Sequence, residues 1–224
     1  MEKTFNIVLI GPPGAGKGTL AQEIEAQTPM SVLTTSNALR AEVKTGSALG
    51  NEISDLMAKG KFVADEVIFK VVEESMQSDQ YNEGVVFDGF PRTLAQAEFF
   101  SKNNIQIDIL VLLEIEDDVI IDRMQGRRVH LPSGRVYHVN NRPPKQEGLD
   151  DVTGEALSIR EDDRAEVVKS RLEDYHHLTK PIIAWAEKQY QNGLVDNIIK
   201  IDAAQDFDAV WRSFVMQVSA LTDE

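Results

Sequence analysis

The residues of this chain best suited to chemistry fall in three places. Gly11-Pro-Pro-Gly14-Ala15-Gly16-Lys17-Gly18-Thr19 follows the apolar run Ile7-Val-Leu-Ile10. Asp88-Gly89-Phe90-Pro91-Arg92 follows Val85-Val-Phe87. Nine of the eleven arginines lie between Arg92 and Arg171, in a chain of formal net charge −14. A glycine-rich turn from strand to helix lets backbone N–H groups approach phosphate oxygens. The helix N-terminus favours negative charge and Lys17 adds an ammonium, so the first segment reads as a phosphate loop. Gly18 stands where a Ser or Thr normally offers its hydroxyl to magnesium, and Thr19 comes one residue late. Asp88, at a strand's C-terminal end, is placed to organise magnesium through water, because that ion dehydrates reluctantly. Arg92 carries a planar fork suited to phosphate oxygens. Each feature has a plainer reading: an ordinary strand–turn–helix, a strand ended by Gly and Pro, arginines paired with nearby carboxylates. Their occurrence together favours an arginine-lined anion site.

The elements that must position these residues follow from periodicity. Apolar runs at 5–10, 85–87, 109–113 and 198–201 read as buried parallel strands, with 31–34 a weaker fifth. Helical periodicity covers 19–26, 39–44, 49–58, 66–77, 94–102, 118–124, 164–190 and 206–221. This alternation predicts an α/β fold, doubly wound around a five-stranded parallel sheet in three layers, of the P-loop NTPase type. Two stretches interrupt it. Residues 34–63 carry helices with no strand between them. Residues 127–163 are rich in Gly, Pro, Asn and Asp, with β-like patches such as Arg135-Val-Tyr-His138, and read as a small lobe or lid.

The 224 residues are long enough for a real core, and 42% hydrophobic with 27% charged residues is ordinary for a soluble protein. No apolar stretch is long enough for a bilayer and no cleavable signal is visible, so no membrane partner and a cytoplasmic address are expected. The absence of cysteine excludes disulfides, cysteine nucleophiles and thiolate zinc sites. The acidic balance argues against a nucleic-acid partner but leaves a small anion open.

Gly11-x-Pro-Gly14-x-Gly16-Lys17-Gly18-Thr19, Asp88-Gly89-Phe90-Pro91-Arg92 and Asp122-Arg123-x-x-Gly126-Arg127-Arg128, in this order, resemble the nucleoside monophosphate kinases, in particular adenylate kinases of the long bacterial form. The likeness runs from about residue 5 to about 200 and includes His130-x-Pro-Ser133-Gly-Arg135-Val-Tyr-His138, Asp150-Asp-Val-Thr153-Gly and Arg160-x-Asp162-Asp163. It implies a core at 1–33, 64–126 and 164–224, a helical NMP-binding lobe at 34–63 and a small β-rich lid at 127–163. The implied partners are ATP and AMP, with Mg2+ as cofactor, no structural zinc, and a monomer. For ATP the resemblance implies Gly14, Ala15, Gly16, Lys17, Gly18 and Thr19 at the triphosphate, Arg123 against the adenine, and Arg127, Val136 and Tyr137 nearby. For AMP it implies Thr35, Arg40, Lys61, Val63, Gly89, Arg92, Gln96, Arg160 and Arg171. Lys17, Arg92, Arg127, Arg160 and Arg171 would serve transfer, and Asp88 would position magnesium through water. No protein base is expected, since a phosphate acceptor oxygen is already deprotonated. Two lobes closing to exclude water would protect the phosphoryl group.

His130, Ser133, Asp150 and Thr153 read as a hydrogen-bonded cluster standing where related lids hold zinc through cysteines, and His176 and His177 read as a solvated helix face. Thr35-Ser36-Asn37 replaces the family's Thr-Gly-Asp; the change removes freedom at positive φ and a carboxylate, while Ser36 or Asn37 is expected to cap the next helix. Ala203-Ala204 replaces Gly and a hydroxyl residue. Rival readings are a UMP/CMP-type kinase and a nucleotide-binding regulator without transfer activity. A GTPase-like switch is disfavoured because no Asn-Lys-x-Asp motif occurs.

Overall fold

The computed structural model describes residues 5–58, 63–140, 142–159 and 163–222, which divide into two compact units. The first comprises Met1–Ile10, Lys17–Leu112 and Leu178–Lys200; the second comprises Gly11–Gly16, Leu113–His177 and Ile201–Glu224. No helix among the described residues is long and apolar enough to cross a membrane.

A five-stranded parallel sheet organises the first unit. Its strands are β1 (Asn6–Ile10), β2 (Ser31–Thr34), β3 (Val85–Asp88), β4 (Ile107–Glu114) and, last in the chain, β7 (Val195–Asp202), in the order β2-β3-β1-β4-β7. Ile7–Ile10, Val85–Phe87 and Ile107–Leu113 are buried throughout, as expected when helices cover both faces of a sheet. The weak run at 31–34 is a true edge strand. Pairing of Leu9 with Asp88, and of Thr34 with Asp88, brings the three strands to a common C-terminal level. At that level open α/β sheets present their ligand-binding loops.

The helices of this unit are α1 (Lys17–Gln27), α2 (Thr35–Thr45), α3 (Ala48–Ala58), α4 (Asp65–Met76), α5 (Leu94–Lys102) and α8 (Pro181–Gln191). A fully buried group, Phe87, Phe90 and Phe100, anchors the core beneath the 88–92 loop. Phe90 meets Phe99 edge-on at 5.7 Å and Phe100 at 5.6 Å between ring centroids. Helices α2 and α3 cross so closely at Gly50 that a Cβ there would collide with the Glu42 carbonyl. A separate cluster of Ala38, Leu39, Ile53 and Val71 ties α2, α3 and α4 together, with Val63 packed against it.

In the second unit α6 (Asp117–Gly126) packs on α7 (Ala165–Asp174) through Ile120, Met124, Val168 and Leu172. A two-stranded antiparallel sheet, β5 (Arg127–Val129) with β6 (Val136–His138), begins the 127–159 segment, and Val129 bridges on to Ser158. The chain ends in α9 (Phe207–Thr222).

The single helix expected over 164–190 is two helices, α7 and α8, with a π-helical turn at Tyr175–Thr179 between them. Pro181 is the cause. Its ring has no N–H and collides with the carbonyl four residues back, so the ladder widens before α8 restarts with proline at its first position.

Candidate functional site

In the glycine-rich turn Ala15 N–H donates to Pro12 C=O at 3.2 Å, and α1 starts at Lys17. Gly14 has φ +83° and lies against Met124 and Ile120, where a Cβ would stand 2.9 Å from the Met124 sulfur. Gly16 has φ +95° with no atom of the described residues within 4 Å of its would-be Cβ. Both positions demand glycine, one for conformation and packing, the other for conformation alone.

Within the first unit Asp88 sits over the start of α1. A Cβ on Gly18 would lie 3.3 Å from Asp88 Oδ2, which accounts for glycine where a hydroxyl residue is usual. Burial pushes the Asp88 carboxyl above the ordinary carboxylate range, while Lys17 and then Arg92 pull it back. A carboxylate held between two cations, beside a helix N-terminus, is a place where a hydrated divalent ion and an anionic ligand can share charge.

Four expected acceptor residues come together beside it. Gly89, at φ +77°, offers its carbonyl to Arg92 Nε at 2.8 Å and to Thr35 Oγ1 at 3.2 Å. The Arg92 guanidinium folds over Gly89 so tightly that a Cβ there would stand 2.8 Å from Arg92 Nη2. Arg92 N–H donates to Gln96 Oε1 at 2.8 Å, and Thr93 Oγ1 caps α5 by accepting from Gln96 N–H. Thr179 Oγ1, in the π-helical turn, donates to Arg92 C=O at 2.8 Å. The Arg92 backbone is therefore held at both its N–H and its C=O.

Arg40 lies exposed on α2, and Val63 is half-buried. Lys61 and Arg160 lie outside the described residues. The cap expected from Ser36 or Asn37 is corrected: α2 begins earlier, so Thr34 is the N-cap and its Oγ1 accepts from Asn37 N–H at 3.0 Å. Residue 36 is helical, so serine there incurs no positive-φ strain.

The second unit carries the other expected contacts. Arg123 reaches the carbonyls of Ala203, Ala204 at 2.7 Å and Gln205 at 2.8 Å, which fixes the plane of its guanidinium. Those bonds use backbone oxygens, so Ala203-Ala204 serves them as well as any side chains would. Arg127 forms a two-pronged pair with Asp163, whose carboxylate is wholly buried. Arg171 is half-buried on α7.

The cluster read from the 127–159 segment is present and larger than foreseen. His130 Nδ1 meets Ser133 Oγ at 2.7 Å, and Thr153 Oγ1 donates to Asp150 Oδ2 at 3.0 Å. Asp150 also takes Arg135 in two prongs (2.8 and 2.7 Å), the Tyr137 hydroxyl at 2.9 Å and the Thr153 N–H at 2.9 Å. Arg135 first, with Thr153 and Tyr137, holds the Asp150 carboxyl well below the usual carboxylate range against its burial. Tyr137, expected at a ligand, thus has its hydroxyl inside this cluster, while Val136 stays half-buried. Glu155 completes the group against His130 Nε2.

Sequence reading missed four partners. Asp65 accepts from Gln96 Nε2 at 2.7 Å across 31 residues. Thr179 holds Arg92, and Asp163 holds Arg127. His176 is exposed as expected, yet it pairs with Asp117 at 2.9 Å, 59 residues away. Asp163 alone left a signal, in its motif beside Arg160. A family model described as adenylate kinase matches residues 9–191 of the chain.

Proposed function

The chain belongs to the adenylate kinase family, and on that premise we propose that it transfers a phosphoryl group reversibly from ATP to AMP, giving two ADP. A nucleoside monophosphate kinase must hold one donor and one acceptor and keep water away from the group in transit. The observation that carries the choice of AMP is Gln96. Its buried amide sits beside Gly89, Thr35 and Arg92, and it is the kind of group an adenine edge requires.

The residues divide the work as follows. Gly14 through Thr19 wrap the donor triphosphate with N–H groups, and Lys17 neutralises its outer oxygens. Arg92 and Arg40 hold the acceptor phosphate, with Thr35, Val63, Lys61 and Gly89 around its nucleoside. Arg123 offers its fixed guanidinium face to the donor adenine, beside Val136 and Tyr137, and Arg127, Arg160 and Arg171 neutralise the transferring group. Phosphoryl transfer needs little covalent help, so positioning and charge do nearly everything, and no residue is assigned as a base. The donor set at Asp88, one carboxylate flanked by Lys17 and Arg92, suits magnesium that keeps most of its water and its nucleotide oxygens. Bound there with ATP, the ion supplies charge neutralisation to the phosphates. The protein acts as a monomer, with residues 34–63 and 127–163 as its two substrate lobes.

The test is positional. ATP labelled in its γ-phosphate is mixed with AMP and the protein, and ADP is isolated. Label in the β-phosphate of ADP, lost in Arg92→Ala, supports the reading. Label released as inorganic phosphate with no labelled ADP refutes it.

A further inference from the structure

We propose that Asp65 fixes which way round the Gln96 amide faces, and thereby makes the acceptor site choose a 6-amino over a 6-oxo purine monophosphate. The inference rests on the reading of Gln96 as the acceptor-base contact.

An amide's two ends are nearly the same shape, so a glutamine free to turn can present donor and acceptor in either order. Here both ends are bound by groups that cannot change role. Arg92 N–H can only donate, and it faces Gln96 Oε1 at 2.8 Å. The Asp65 carboxylate accepts, and it faces Gln96 Nε2 at 2.7 Å. Turning the amide would set N–H against N–H at one end and oxygen against carboxylate at the other. Gln96 is 5% exposed, so water cannot rescue the wrong orientation.

After these two bonds the amide retains one N–H on Nε2 and one lone pair on Oε1. That leaves one donor and one acceptor, in a fixed order. Adenine presents an unprotonated N1 and a 6-amino donor, which match that order. Hypoxanthine and guanine present an N1–H donor and a 6-oxo acceptor, the reverse. A locked amide therefore rejects 6-oxo purines, whereas an unlocked one accommodates them by turning.

Asp65 is well placed for this task. It is the first residue of α4, yet no side-chain cap bond is made at that terminus, and its carboxylate reaches α5 instead. The bond also joins α4 to α5, so a structural role must be told apart from a selective one. Asp65 is a positioning residue, acting through Gln96.

The experiment compares kcat/KM for AMP and for IMP, whose bases differ only at N1 and position 6, in the wild type and in Asp65→Ala and Asp65→Asn. The wild type is expected to favour AMP by about 10³-fold or more, since a site built for hydrogen bonding leaves buried groups unpaired with the wrong base. Asp65→Ala is expected to lower that ratio at least about tenfold, with IMP gaining. Asp65→Asn, whose own amide can turn to donate as readily as accept, keeps a hydrogen bond between α4 and α5 but releases the lock, so it is expected to lower the ratio as well. Should the alanine variant not fold, Asp65→Ser gives the same readout; serine suits a helix N-terminus but is too short to reach Gln96. Loss of activity toward both acceptors in equal proportion overturns the inference, because that is what a purely structural bond predicts. A wild type that phosphorylates UMP or CMP and not AMP overturns the acceptor reading and this inference with it. A wild type that uses AMP, with a ratio unmoved in the variants, overturns this inference alone.

Discussion

Replacing Phe90 by alanine tests how the core holds the 88–92 loop. The ring is fully buried and touches Phe87, Phe99 and Phe100 at centroid distances of 6.3, 5.7 and 5.6 Å. Truncating such a phenylalanine costs about 3–5 kcal/mol, and three aromatic pairs place it toward the upper end. For a chain of this length that is a fall in Tm of about 6–20 °C. Urea unfolding of a Trp211→Phe background, followed by the fluorescence of the remaining Trp185, which packs against the same core, should show a lowered midpoint at unchanged slope. Leu131→Ala, at a side chain 62% exposed, should stay within about 0.5 kcal/mol of wild type. Arg92 is two residues from Phe90, so its displacement should also lower kcat/KM for the acceptor about tenfold to a hundredfold. A loss below about 1 kcal/mol would refute the claim that this ring anchors the loop.

Other perturbations separate the parts of the site. Lys17→Ala should cut turnover by about 10²–10³-fold with the fold intact, in the range for a lost charge-stabilising donor. The same change should raise the Asp88 pKa further, read by carboxyl-carbon NMR titration, because Lys17 is the larger of the two cations' effects opposing burial. Gly50→Ala should lower the unfolding midpoint, since its Cβ meets the Glu42 carbonyl backbone, whereas Gly148→Ala acts through φ +76° alone. Asp150 has a depressed folded pKa, so its stabilisation is full above the unfolded value of about 3.9 and is lost as pH falls below it. Limited proteolysis of 127–159 should therefore be flat from pH 8 to 5 and rise only below about pH 4, and Asp150→Ala should be cleaved even at pH 7.

Three central strands were legible because Ile7–Ile10, Val85–Phe87 and Ile109–Leu113 are unbroken apolar runs followed by Gly or a charged residue, whereas β7 showed only its Ile198–Ile201 stretch. Even the weak 31–34 run forms, since pairing with β3 supplies what its propensity lacks. The turn at 11–18 and the 88–92 loop were legible because Gly and Pro mark backbone requirements in the sequence itself. Continuity between α7 and α8 was misread for a physical reason. The apolar periodicity runs on through 175–180, and only Pro181 signals that the ladder must change. The cap at Thr34 was assigned two or three residues late because Ser36 and Asn37 are equally good caps by type. Asp65, Thr179 and the Asp117–His176 pair were illegible: their partners lie 31, 87 and 59 residues away, and no spacing rule reaches across such distances.

The measurement that bears most directly on the account is a competition. Equimolar AMP, UMP, CMP and GMP are mixed with magnesium, ATP and the purified protein, and the diphosphates are separated as they form. The account predicts rapid loss of AMP, ADP appearing at two per ATP consumed, and the other three acceptors left untouched. UDP or CDP forming while AMP is left unconsumed, with only one ADP per ATP used, or ATP bound with no diphosphate formed from any acceptor, would contradict it.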